Sequence, residues 1–276
     1  MEATLSKTYR GPVKAVILGW GGTVVDYGSC APAAAVRAVF EKRGVPLTLE
    51  QARQHSGLTD WEHLRAVAQL PEVAAHWQNA HGRPFAESDL ETVVSEFLRR
   101  QLTELHHYAD LIPGVPETVA KFRERGLKIG TTTGYSRDLV KRLAAEARKR
   151  GYWPDHSVCA SDVPAGRPYP WMAYENAIRL QIMPLEAIVK IGDTIPDIEE
   201  GLNAGMWTVG LAQTGNELGL TADEVAALPS DVLRVKLTQI YQRLYEAGAH
   251  YVVDGIWDCG AVIDDISARL MRGERP

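Results

Sequence analysis

An apolar run from Val13 to Leu18 opens the hydrophobic pattern and breaks off at a glycine-rich turn, Gly19-Trp20-Gly21-Gly22-Thr23. Short apolar runs bounded by turn residues read as buried strands. From Pro32 to about His107 the period changes, and nearly everything reads as helix. Pro32 fits a first helical position, and Gly44 closes the segment AAAVRAVFEKRG. Thr48 with Gln51, Thr59 with Glu62, and Ser88 with Glu91 share the spacing in which two side chains satisfy the free N–H groups of a helix start. Beyond IPGVPETV, strand and helix alternate: LKIGTTT before Ser136 to Gly151, HSVCASD before Pro168 to Leu180, and AIVKIGD before Pro196 to Ala204. WTVGLA then precedes a further helical stretch, and YVVD a last helix.

That alternation predicts an α/β fold, a parallel sheet with helices on both faces. The expected organisation is a core of residues 1–27 and 108–276, interrupted after its first strand by a helical cap of residues 28–107. Ligands of open parallel sheets sit beyond the carboxyl ends of the strands. Four such ends are polar or glycine-rich: Gly19 to Thr23, Thr131 to Thr133, Asp162 to Arg167, and Asp193 to Asp197.

Composition narrows the partners. A chain of 276 residues with 45% hydrophobic content can fill a core. The net charge of −5 is spread without a Lys/Arg run, which argues against nucleic acid. No stretch approaches the ~20 apolar residues of a membrane span, and MEATLSKTYRGPVK lacks the apolar block of a signal peptide. A soluble cytoplasmic protein with no membrane partner is the expectation. Cys30, Cys159 and Cys259 form no CxxC pair and read as buried or idle thiols, although Cys30 lies near the glycine-rich turn.

The strongest local signal is KIGDTIPDIEEGLNAGM. Asp193 ends a strand and Asp197 follows four residues on at a helix start, so both carboxylates can project toward one point. Either alone would read as a helix cap or first-turn acid. Paired at one strand end, they suit Mg2+, which typically keeps waters and takes one or two protein carboxylates. In TTTGYS, Thr133 and the Gly134 N–H at a helix start make an anion seat, or an ordinary turn. Arg167, between Gly166 and Pro168, is held in a rigid loop that could aim its guanidinium at a phosphoryl group. An exposed structural arginine is the competing reading.

Taken together, VILGWGGTVVDYG, LKIGTTTGY, DVPAGRPYPWMAY and VKIGDTIPDIEEGLNAGMWTVG resemble the haloacid dehalogenase superfamily, and within it the phosphonoacetaldehyde hydrolase family. The similarity runs over almost the whole chain, including HYVVD. The resemblance implies a Rossmann-like core with a helical cap, often a homodimer through that cap. It also implies Mg2+ and cleavage of the C–P bond of phosphonoacetaldehyde to acetaldehyde and phosphate. By position, Asp193 and Asp197 resemble the metal-side carboxylates, Thr133 and Arg167 the phosphoryl binders, and Tyr135 a pocket residue, with Gly21, Gly22 and Gly134 at the ligand. His63, in DWEHLR, resembles the cap histidine facing the reaction centre; by itself it reads as a helix-surface or core residue. Asp26 matches an aspartate that braces the turn.

Two departures concern the groups that do the chemistry. Gly19 stands where the family has its nucleophilic aspartate, and glycine has no oxygen to attack with. Asp60 stands where the family has its Schiff-base lysine, and a carboxylate forms no iminium ion. Lys42, the only lysine between residues 28 and 107, reads as a solvated helix end. Ser29, and Ser56 where the family usually has methionine, make the pocket mouth more polar. The expected function is therefore binding of a small phosphonate or phosphate with Mg2+, and its transformation without an aspartyl-phosphate or Schiff base. Asp60 would act as general base and His63 as its partner. Asp60 also fits a plain first-turn acid behind Thr59. A non-catalytic phosphonate binder or partner subunit, and a conventional hydrolase, are the alternatives.

Overall fold

A computed structural model describes residues 8–105 and 109–276. Its strands are β1 (Ala15–Leu18), β2 (Lys128–Thr133), β3 (His156–Cys159), β4 (Ile188–Gly192), β5 (Trp207–Leu211) and β6 (Tyr251–Val253). They form one sheet in the order β3-β2-β1-β4-β5-β6, with every neighbouring pair parallel. All four residues of β1 are buried, as expected of a central strand covered on both faces. The chain starts in the middle, winds outward to β3, and returns to lay β4 on the other side of β1. The strand order thus reverses beside β1, and the crevice such a reversal leaves opens at the carboxyl ends of β1 and β4.

Between β1 and β2 lie α1 (Cys30–Glu41), α2 (Leu49–Arg53), α3 (Asp60–Ala68), α4 (Pro71–His81) and α5 (Glu87–Glu104). They pack round Phe40, Leu64, Trp77, Leu90 and Phe97, a hydrophobic cluster distinct from that of the sheet. The other helices are α6 (Val115–Glu124), α7 (Arg137–Lys149), α8 (Trp171–Leu180), α9 (Ile195–Asn203), α10 (Ala222–Ala227), α11 (Ser230–Glu246) and α12 (Cys259–Arg272). Strand alternation sends Val16 and Leu18 toward α6, α7 and α12, and Ala15 and Ile17 toward α8. No described helix is long and apolar enough to cross a membrane. The expected end of the helical segment at His107, and the first seven residues of the amino-terminal stretch, lie outside the described residues.

Helix starts follow the local chemistry, with two corrections. Thr48 with Gln51 and Thr59 with Glu62 form the reciprocal caps that their spacing predicts. Ser88 does not, because α5 begins one residue before it. Arg83 holds Asp89 through two contacts of 2.6 and 2.7 Å, and Asp89 accepts from the Ala86 N–H at 2.9 Å. Pro32 is the third residue of α1 instead of the first. Asp26, in the left-handed region at φ 57°, turns its carboxylate onto the N–H groups of Cys30 (3.0 Å) and Ala31 (2.9 Å), so the helix starts earlier. Helix α6, with Pro116 in its first turn, adds to the elements read from sequence.

Candidate active site

A cleft lies between the strand ends and the start of α3. Its floor is Gly19, Trp20 and Gly21 after β1, Thr133, Gly134 and Tyr135 after β2, Arg167 before α8, and Asp193, Thr194 and Asp197 at the β4–α9 junction. Ser29 and Pro32 form one wall, and Ser56, Gly57, Leu58, Asp60 and His63 the roof. The four strand ends singled out in the sequence therefore do converge. Gly22 stays outside the lining: at φ 71° it packs against Asp193 and Gly215, where a Cβ would strike the Asp193 carboxylate. Gly21 makes room for the Tyr135 phenol, since a Cβ there would lie 2.5 Å from its oxygen.

The floor is a network of buried charge. Arg167 donates to Glu200 at 3.1 Å through Nε, and through Nη2 to the Thr132 carbonyl (2.8 Å) and hydroxyl (2.9 Å). The same Nη2 lies 2.8 Å from Asp197 Oδ1. Lys190, in the middle of β4, is completely buried; it contacts that same Oδ1 and lies 3.5 Å from Glu200. The second oxygen, Oδ2, accepts from the Thr194 hydroxyl (2.7 Å) and N–H (3.3 Å). Thr194, and not Asp193, is thus the cap of α9. Burial opposes the charge on Asp197, but Arg167 and Lys190 outweigh it and hold its carboxyl below the ordinary range. Buried charges persist only when paired in this way.

Asp193 is placed differently. Its Oδ1 accepts from the Thr23 hydroxyl at 3.0 Å and its Oδ2 from the Asn216 N–H at 3.0 Å, tying the glycine-rich turn to the loop after β5. Burial and then the charge of Asp197 push its carboxyl upward. For the Mg2+ that the family resemblance implies, this donor set does not fit. Asp197 is already neutralised by two cations, both oxygens of Asp193 accept hydrogen bonds, and Gly19 supplies no ligand. Among the described residues no group of three His, Cys, Asp or Glu is placed to hold a metal ion.

The roof contrasts with this. Asp60 is the first residue of α3 and has no hydrogen-bond partner among the described residues. Asp60 is partly exposed, yet its carboxyl faces the cleft, and burial there raises it to about 7. His63 is buried, and its Nε2 donates to the Ala52 carbonyl at 3.0 Å. Burial pushes the imidazole down to about 4, so it is neutral and committed to the backbone. Burial, then the charges of Asp26, Asp193 and Asp60, raise the Tyr135 phenol well above its usual value and keep it protonated. Lys42 pairs with Glu96 at 2.6 Å on the surface, away from the cavity. The three cysteines are free thiols, and none lines the cavity.

Sequence reading missed Lys190, Glu200, Thr23 and Asn216. Lys190 carried a signal, because a lysine inside an otherwise apolar central strand demands buried partners. Glu200, three residues after Asp197, lies on the same face of α9.

This parallel sheet, with helices inserted behind its first strand and a charged floor at the strand reversal, matches a family model of haloacid dehalogenase-like hydrolases over residues 13–205, and the chain belongs to that family. Its similarity extends to the phosphonoacetaldehyde hydrolases. It is 49% identical to a phosphonoacetaldehyde hydrolase-like protein of Syntrophobacter fumaroxidans, over 98% of each chain. It is 47% identical to a phosphonoacetaldehyde hydrolase of the same organism, again over 98% of each. A crystal structure of a phosphonoacetaldehyde hydrolase-like protein from Oleispira antarctica superposes with a TM-score of 0.96 at 38% identity, covering 100% of both chains.

Proposed function

We propose that this protein binds a small phosphonate or phosphate in the cavity and transforms it by general-base chemistry through Asp60, with no covalent bond formed at position 19. The observation that carries the reading is the Asp60 carboxyl, which has no hydrogen-bond partner among the described residues and stands over a floor whose first strand is followed by Gly19. In this reading Arg167, Thr133 and Gly134 hold the anionic group, and the helical segment α1–α5 acts as a cap that keeps bulk water from it. A carboxyl raised to about 7 takes up and returns a proton near neutrality, as a general base must. Asp60 removes a proton from the ligand carbon beside a carbonyl. The carboxylate becomes a carboxylic acid, the electron pair of the broken C–H bond passes into the ligand as an enolate, and delivery of the proton to a different atom of that enolate gives an isomer and resets the site.

The names of the relatives make phosphonoacetaldehyde the first compound to try, followed by other small phosphonates, with products identified by phosphorus NMR. Asp60→Asn is expected to lower turnover by roughly 10²–10⁴-fold. Unchanged turnover would remove Asp60 from the chemistry. Phosphate release from phosphonoacetaldehyde through an adduct on another side chain would restore the conventional hydrolase. A second reading, a non-catalytic binder or partner subunit, is favoured by His63: fixed on the Ala52 carbonyl, it leaves Asp60 without a proton partner. That reading expects ligand-dependent stabilisation with no product. A homodimer through α1–α5 belongs to the same proposal and is checked by light scattering of the purified chain.

A further inference from the structure

Both carboxylate oxygens of Asp193 and of Asp197 already have partners, and two of those partners are the buried cations Lys190 and Arg167. Asp197 Oδ1 is shared by Lys190 Nζ and Arg167 Nη2, the latter at 2.8 Å. Glu200 completes a quartet of two positive and two negative side chains, 3.1 Å from Arg167 and 3.5 Å from Lys190. A divalent ion binding Asp197 would have to displace one of these cations, or sit beside both. Asp193, the other carboxylate, works as a strut between Thr23 and Asn216. Position 19, where a third carboxylate could stand, is glycine.

We propose that Lys190 and Arg167 are the resident cations of this site, and that it holds its anion without a divalent metal. Arg167 meets the ligand directly. Lys190 does not touch the cavity and is a positioning residue: by sharing Asp197, it prevents that carboxylate from neutralising Arg167 completely. The inference rests on the anion binding proposed above.

The test uses the full chain stripped with EDTA, with inorganic phosphate and methylphosphonate as probes, read by calorimetry and thermal shift in the presence and absence of Mg2+. The dissociation constants are expected to agree within threefold in the two conditions, and Mg2+ alone to leave the melting temperature unchanged. Binding that appears only with Mg2+, or tightens tenfold or more with it, overturns the inference and leaves the anion site standing. No binding in either condition sinks the anion site itself, and the inference with it.

Two variants sharpen the outcome. Asp197→Asn frees Arg167, and is expected to tighten phosphate binding severalfold in EDTA; weaker binding, seen only when Mg2+ is present, would mark Asp197 as a metal ligand. Gly19→Asp restores a carboxylate. A Cβ there meets the Thr23 hydroxyl at 2.8 Å, a group that can rotate away, and lies 3.6 Å from Asp197 Oδ1. This variant is expected to acquire a Mg2+-dependent thermal shift that the parent lacks. Its failure to do so, in a folded protein, would count against the missing carboxylate as the reason for metal independence. That readout needs no turnover, and survives if Asp197→Asn does not fold.

Discussion

The floor and the roof of the cavity are built on opposite terms. Below, Arg167, Lys190, Asp197 and Glu200 neutralise one another, and Asp193 is tied on both oxygens. Above, Asp60 has no partner among the described residues and His63 is turned to the backbone. A network of paired buried charges holds only in good geometry and has little freedom to change. A carboxyl buried without a partner costs stability, offset in part by its place in the first turn of α3, where the helix dipole favours an acid. In the function proposed above, the floor sets where a ligand sits and the roof supplies the reacting group.

Breaking the floor should have the largest effect. Lys190→Met leaves Asp197 and Glu200 short of a buried cation, and is expected to cost about 3–5 kcal/mol in denaturant unfolding. A loss below about 1 kcal/mol would mean that packing, not charge pairing, holds the floor. The roof should instead show itself through pH. His63 titrates at about 4 when folded and near its ordinary value of 6.5 when unfolded. Between those values the unfolded chain binds the extra proton, so the histidine's contribution is complete above pH 6.5 and is lost as the pH falls toward 4. Over that window it amounts to roughly 3 kcal/mol. Asp26 and Asp60, raised to about 7, slope the other way, so the check is the difference between wild type and His63→Gln. Equal pH profiles for the two proteins would show that His63 is solvated in solution.

Smaller effects separate the caps. Thr59 accepts from the Glu62 N–H at 3.2 Å and begins the helix that carries Asp60, so Thr59→Ala should cost about 1 kcal/mol. Ser88, which caps nothing, should cost under about 0.5 kcal/mol when changed to alanine. Thermal unfolding of the pair orders them directly.

The same contrast explains what the sequence made legible. The parallel sheet, its crevice and the caps at Thr48 and Thr59 could be read because each depends on residues a few positions apart. The cap at Ser88 misled because Arg83, five residues upstream, takes hold of Asp89 and moves the helix start. The convergence of Gly19, Thr133, Arg167 and Asp193 followed from topology alone. The engagement of Asp197 did not, since its two cations come from β4 and from the loop before α8. Spacing showed that two carboxylates shared a corner, but not that the corner was already full. Likewise, nothing adjacent to His63 in the chain announces that a carbonyl eleven residues earlier will claim its ring.

Glycines let the roof settle directly on the floor. A Cβ on Gly134 would strike the Leu58 carbonyl, one on Gly57 the Thr194 hydroxyl, and one on Gly166 would lie 2.6 Å from a Thr59 methyl. Main chain thus meets main chain at Gly134, and meets threonine side chains at Gly57 and Gly166. A methyl wedged at position 134 would push Leu58 and Thr59 away from the end of β2, and with them the start of the helix that carries Asp60.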